Sequence, residues 1–171
     1  MTDRRRFEIV DVFATGKYTG NQLAVVRDAG GMTDEEMLAV AKEFGFSETT
    51  FVESEGDEPR VRIFTPTEEV DFAGHPTLGT AAVLLGDDEE EVTLDLNVGP
   101  LPVHEEGGVL WMDQNEPEFG DVRNRESVAE VLDIKATDID DDYPVQEVST
   151  GLPAVIVPLE TLDAVRRVSL N

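Results

Sequence analysis

The 171-residue chain contains no cysteine, two histidines, one tryptophan and three lysines. The missing cysteine excludes disulfides, thiolate metal sites and thiol nucleophiles, so any acid, base or nucleophile has to be another side chain. With only two histidines besides, zinc is a poor proposal and no metal site is expected. Long apolar runs are missing too. None approaches the roughly 18 residues of a membrane span, and Met1-Thr2-Asp3-Arg4-Arg5-Arg6 lacks the apolar stretch of a secretory signal. The expectation is a cytoplasmic protein with no membrane partner. Thr15-Gly16-Lys17 and Gly30-Gly31 lack phosphate-loop spacing, so no nucleotide fingerprint is present.

Positive charge is scarce as well. Thirteen Lys and Arg face 38 Asp and Glu, a net charge of −25 with a pI near 4.1. Such a surface repels phosphate backbones at long range, so nucleic acid is not an expected partner. The acids spread over the whole length and also form runs at 87–91 and 138–142. They read as a solvated surface of the kind found in salt-accumulating microbes, where counterions screen self-repulsion. A halophilic source is expected, and circular dichroism checks it: folding should be markedly more stable in molar KCl than at low salt.

What remains is globular composition, 40% hydrophobic and 30% charged, in a chain long enough to bury one core or slightly more. Residues 7–13 and 23–26 are short β-type runs separated by a Gly/Asn turn cluster. Thr33-Asp34-Glu35-Glu36 is a capping-box pattern, followed at helical spacing by Met37, Leu38, Val40, Ala41 and Phe44 and closed by Gly45. Residues 49–53 and 60–65 read as a hairpin around an acidic loop, and 66–73 as irregular. Gly74-His75 then forms a tight junction, with Pro76 at the expected first position of a helix containing Leu78, Ala81, Ala82, Val83 and Leu84. A helix so apolar is normally buried on every side, which carries Gly74 and His75 to the interior or to a cleft. Strands follow at 92–98, 101–104 and 109–112, with Trp111 expected in the core and His104 in an edge strand at the surface. Residues 115–125 read as a linker. Beyond it come a short helix with Ser127 and Glu130 as its capping box, strands at 145–148 and 154–157, and a helix at 161–168. The expected organisation is a first unit at 1–114, then a linker and a small second unit at 115–171.

Two residues stand out chemically. His75 at a helix N-terminus would be held neutral beside free backbone N–H groups that suit an anion. The alternative is a buried histidine that fixes the turn. Glu48, in Phe46-Ser47-Glu48-Thr49-Thr50-Phe51, is an acid among apolar and hydroxyl residues at the start of a strand, and a carboxylate partly withdrawn from water there can serve as general base and acid. Its alternative is a solvated or capping glutamate. Asp71 is assigned to turn chemistry.

Four ordered segments carry a resemblance: Gly20-Asn21-Gln22-Leu23-Ala24-Val25-Val26, Phe46-Ser47-Glu48-Thr49-Thr50-Phe51-Val52, Arg60-Val61-Arg62-Ile63-Phe64-Thr65-Pro66, and Phe72-Ala73-Gly74-His75-Pro76-Thr77-Leu78-Gly79-Thr80-Ala81. Together they resemble the phenazine-biosynthesis isomerase family, PhzF type, with looser matches at Trp111-Met112-Asp113-Gln114 and Ser149-Thr150-Gly151-Leu152-Pro153. The resemblance implies an α/β, diaminopimelate-epimerase-like fold, in which each of two halves wraps a mixed sheet around a central helix. Here that helix would start at Pro76. It implies a proton moved between carbons of a small, anionic cyclic amino or hydroxy acid without a cofactor. Glu48 would be the acid/base residue and His75 its aid, with Ser47, Gly74 and Pro76 lining the substrate, in a homodimer. The motif Glu-Asp-Pro-Ala-Thr-Gly-Ser, which supplies the family's second half with a catalytic aspartate, is absent from these 171 residues. The second half is therefore expected to be incomplete or supplied by another chain. The rival expectation is a non-catalytic fragment or interaction module that pairs with a second chain.

Overall fold

Strands β1 (Phe7–Val12) and β2 (Asn21–Val26) pair antiparallel, and β2 is buried on both faces from Leu23 to Val26. A strand covered on both sides needs a layer above and a layer below, and two helices supply them. The structure is a computed structural model that describes residues 4–54, 56–86 and 89–170. The opening Met1-Thr2-Asp3, Glu55 of the acidic loop and Asp87-Asp88 of the first acidic run lie outside the described residues. Two compact units, Met1–Gln114 and Asn115–Asn171, make up the chain.

In the first unit, α1 (Asp34–Phe44) connects β2 to the parallel strand β3 (Glu48–Val52), and β4 (Val61–Phe64) and β5 (Glu69–Val70) complete a sheet of order β1-β2-β3-β4-β5. The capping box is formed as the sequence indicates. Thr33 Oγ1 accepts from the Glu36 N–H at 3.2 Å, and Glu36 accepts from the Thr33 N–H at 2.9 Å. Gly45 ends the helix in the left-handed region at φ 68°, a conformation glycine adopts without a Cβ penalty. Helix α1 covers one face of the sheet through Met37 and Ala41 against Val26, Phe51 and Phe64.

The opposite face carries Leu23, Val25, Val52 and Ile63 and receives α2 (Gly74–Leu84). A second, antiparallel sheet of β6 (Glu91–Leu96), β7 (Gly99–Glu106) and β8 (Val109–Met112) brings Leu94, Leu96, Leu101 and Val103 into the same core. Helix α2 contacts β1, β2 and β3 of one sheet and β6 and β8 of the other, so it is the central helix of this unit. Its buried residues include Pro76, Thr77, Gly79, Thr80 and Ala81, whereas Ala82 emerges to solvent.

Several details differ from the sequence reading, each for a local reason. Helix α2 begins at Gly74, because Ala73 is already extended and its carbonyl accepts from Thr77. Pro76 is therefore its third residue, still inside the first turn where a missing N–H costs no intrahelical bond. Trp111 is 54% exposed rather than buried, since Leu110 and Met112 point to the core and strand alternation turns Trp111 outward. His104 is half-buried in β7, the middle strand of its sheet, between Glu91 and Trp111. Residues 69–70, read as irregular, pair with β4.

The second unit holds β9 (Glu118–Val122), α3 (Arg125–Val131), a 3-10 turn (Ala136–Asp138), β10 (Gln146–Ser149), β11 (Pro153–Ile156) and α4 (Leu162–Arg167). Its strands lie in the order β11-β10-β9, all antiparallel. Residues 118–122, read as linker, are thus a strand: pairing to β10 overrides their polar, Gly-containing composition. Asn124, not Ser127, caps α3, accepting the Ser127 N–H at 2.8 Å. Ala129, Ile139 and Val145 form the small core.

Candidate active site

Alternation along β3 puts Glu48, Thr50 and Val52 on the face toward α2, and Thr49 and Phe51 on the face toward α1. Leu23 lies beside Glu48 in the parallel ladder, and Asn21, two residues earlier on β2, shares the α2 side. The first turn of α2 comes down over this strand end. As a result His75 Nε2 sits 3.4 Å from Glu48 Oε2, with the two side chains 11% and 20% exposed. Both atoms are buried and, among the described residues, neither has a hydrogen-bond partner, although the distance is within ion-pair range.

Two buried polar atoms that face one another without an aligned hydrogen bond are uncommon and call for an explanation. Around them the polar groups are connected. The Asn21 amide nitrogen is 3.1 Å from His75 Nδ1, and Ser47 Oγ donates to Asn21 Oδ1 at 3.3 Å. Burial lowers the His75 pKa below its ordinary 6.5, against the opposing pull of the Glu48 carboxylate and of a main-chain hydrogen bond to Gln22. The ring is therefore neutral near pH 7. No side chain caps α2 and no acid lies in its first turn, so the N–H groups of Gly74 and His75 are left without intrahelical acceptors. Pro76 offers no N–H and is buried. A depression of about 300 Å³ is lined by Asn21, Gln22, Ser47, Tyr18 and Asp11 among others, and by neither Glu48 nor His75.

The candidates thus divide. Glu48 and His75 are brought face to face, Gly74 presents backbone beside them, Ser47 is exposed and reaches the pair only through Asn21, and Pro76 is part of the core. Asp71 is exposed and accepts from Asn97 at 3.2 Å, away from this cluster. A larger depression of about 610 Å³, with Arg27, Asp57, Leu84 and Glu89 in its lining, contains neither Glu48 nor His75. Among the described residues no group of three His, Asp or Glu side chains could hold a metal ion.

Sequence reasoning missed the device that sets this geometry. Thr80 Oγ1 donates to Thr50 Oγ1 at 2.8 Å, and both residues are fully buried. Thr50 is two strand residues from Glu48, about 6.6 Å, and Thr80 is five helix residues from His75, about 7.5 Å. Pinning one pair therefore aligns the other. The signal was available: two hydroxyls at positions that face each other once a helix and a strand are both apolar around them. Thr80→Val should cost about 1–3 kcal/mol by leaving the Thr50 hydroxyl buried and unpaired, read as a lower denaturation midpoint. The double variant Thr50→Val/Thr80→Val should recover part of that loss.

Comparison with known proteins gives consistent matches. Residues 10–171 match the sequence model of the family described as phenazine biosynthesis-like protein, PhzC-PhzF. The trans-2,3-dihydro-3-hydroxyanthranilate isomerase of Pseudomonas aeruginosa is 33% identical over 93% of this chain and 59% of its own length. Among solved structures, a predicted epimerase from the same organism superposes with a TM-score of 0.86 at 36% identity, covering 98% of this chain and 64% of that one. A hydroxyproline epimerase from Agrobacterium vitis, at 12% identity and a TM-score of 0.50 over 81% of this chain and 48% of its own, shares the fold alone. The architecture is the diaminopimelate-epimerase-like fold. The chain spans about three-fifths of the length of the curated relatives it matches, 58% and 60% in two further cases.

Proposed function

The chain belongs to the phenazine biosynthesis-like, PhzC-PhzF, family, and on that premise we propose that it carries the proton-moving groups of an isomerase for a small, anionic cyclic amino or hydroxy acid. The observation that supports this reading best is the buried Glu48–His75 pair, whose facing atoms have no hydrogen-bond partner among the described residues. Glu48 takes a proton from an activated substrate carbon, so that a C–H bond breaks and an O–H bond forms. It then returns the proton at another carbon. Substrate and product have the same oxidation level, so the step needs no electron carrier. The free N–H groups at the start of α2 suit the substrate carboxylate or the developing enolate, and neutral His75 orients the substrate against Glu48. The relatives are longer than this chain, and the proposal has groups outside these 171 residues close the other side of the site. In the protein that carries this chain, turnover of a dihydro-hydroxyanthranilate in deuterated water should place deuterium on a ring carbon. Isomerisation without deuterium incorporation at any stage would contradict a solvent-exchanging carboxyl.

The lowered pKa of His75 has a measurable consequence. Its folded value lies below the unfolded 6.5, so between the two the unfolded state binds more protons. The stability it contributes is fully present above pH 6.5 and is lost as pH falls toward the folded value. Thermal melts of the wild type should fall more steeply below pH 6.5 than those of His75→Gln. Parallel melting curves would show that the ring titrates normally.

A second reading concerns the Asn115–Asn171 unit. Cross-strand pairing places Phe119, Val122, Val148, Ala154 and Ile156 on one sheet face, where Phe119 and Val122 are 67% and 65% exposed. Such an apolar face favours association, which suits an interaction module pairing with a second copy. Light scattering in high salt tests the module, since a monomer in solution removes its support.

A further inference from the structure

We infer that Asn21 is a positioning residue that sets the tautomer of His75, keeping the ring proton on Nε2, where it faces Glu48. A neutral imidazole carries one N–H, and which nitrogen holds it depends on what the other nitrogen meets. Two groups bear on where that proton sits. The Asn21 amide nitrogen, 3.1 Å away, is a donor and requires Nδ1 to accept. A main-chain hydrogen bond to Gln22 raises the ring's pKa, as a carbonyl accepting a ring N–H does.

Glu48 favours the tautomer that Asn21 requires. With the proton on Nε2, the N–H lies beside the carboxylate, its nitrogen 3.4 Å from Oε2. With the proton on Nδ1, a nitrogen lone pair would face carboxylate lone pairs across the same gap, which is repulsive in a poorly solvated site. Ser47 supports the outcome, because its hydroxyl donates to Asn21 Oδ1 and leaves the amide nitrogen turned to the ring. Ser47, Asn21 and His75 thus form one directional chain that leaves an N–H beside the Glu48 carboxylate, within ion-pair distance of it. In the reaction proposed above, on which this second step rests, the chain leaves Glu48 with its proton-accepting oxygen oriented and His75 ready to donate to a substrate anion.

The test separates the tautomer from catalysis. In ¹⁵N-histidine-labelled protein above pH 6.5, long-range ¹H–¹⁵N correlation should show His75 protonated on Nε2, with His104→Gln used to assign the second ring. Asn21→Asp keeps the shape but can only accept, so it should move the proton to Nδ1, and Asn21→Ala should give a mixture or the Nδ1–H form. Asn21 is exposed at a strand end, and amide spectra of each variant confirm that the fold is kept. In the protein carrying this chain, Asn21→Asp should lower kcat by on the order of 100-fold with little change in KM. A wild-type ring already protonated on Nδ1, or an Asn21→Asp ring that keeps Nε2–H, overturns the inference. A proton that moves to Nδ1 with unchanged turnover supports the role of Asn21 in the tautomer and overturns the reading of His75 as part of the proton-transfer site.

Discussion

Glu48→Gln should lower turnover and solvent deuterium incorporation in the protein carrying this chain by about 10³-fold, near the middle of what a positioned acid/base group supplies. Glutamine has nearly the same shape, so KM should change little, and the amide can still approach His75. It cannot carry a proton between two carbons. Stability should move the other way: a buried carboxylate oxygen without a hydrogen bond is unfavourable in the folded state, so Glu48→Gln should melt at or above the wild-type temperature. Loss of activity with unimpaired folding is the signature that separates a reacting group from a structural one. Glu48→Asp, which withdraws the carboxylate by one methylene, should fall between the two because proton transfer requires contact geometry. Wild-type turnover in Glu48→Gln would remove the proposed role altogether.

The route from sequence to this site can be followed residue by residue. The capping box at Thr33 and the stop at Gly45 are local signals, satisfied by atoms within a few residues, and composition sufficed to read them. The run Leu23 to Val26 is apolar on both faces, which says that two layers cover it but not which ones. Glu48 stood out for its surroundings and His75 for its place at a helix start, yet nothing local says that they meet. Their approach depends on the parallel pairing of β2 with β3 and on the seating of α2, both of which are long-range. Parity could have carried the argument further. Once Leu23 and Val25 are assigned to the α2 side, Asn21 falls on the same side, and so do Glu48 and Thr50. Trp111 shows the limit of composition: a large aromatic residue suggests a core, but the neighbours Leu110 and Met112 occupy the inward positions and alternation leaves it outside. Residues 118–122 show the same limit, because a polar segment becomes a strand when a partner strand is available.

Gly79→Ala should destabilise the fold by about 1–3 kcal/mol, although the same change in an exposed helix would stabilise it by about 1 kcal/mol. A Cβ at this position would lie 2.6 Å from Leu23 Cδ2, 2.8 Å from Val12 Cγ2 and 3.2 Å from Val10 Cγ2. The two valines are stiff at χ1, and Leu23 is fully buried, so the side chains have little room to withdraw. The helix must lift instead. Gly79 follows His75 by four residues and lies on the same helix face, so the displacement carries directly to the contacts of His75 with Asn21 and Glu48. Activity should therefore fall by more than the loss of folded protein explains. Ala82→Gly provides the control: it lies in the same helix on its exposed side, costs about 1 kcal/mol through propensity alone, and leaves the seating of α2 unchanged. At matched stability Gly79→Ala should be the slower enzyme. A melting temperature at or above wild type for Gly79→Ala would show that α2 is not held against β1 and β2 as closely as these contacts require, and the alignment of His75 with Glu48 would then rest on the Thr80–Thr50 hydrogen bond.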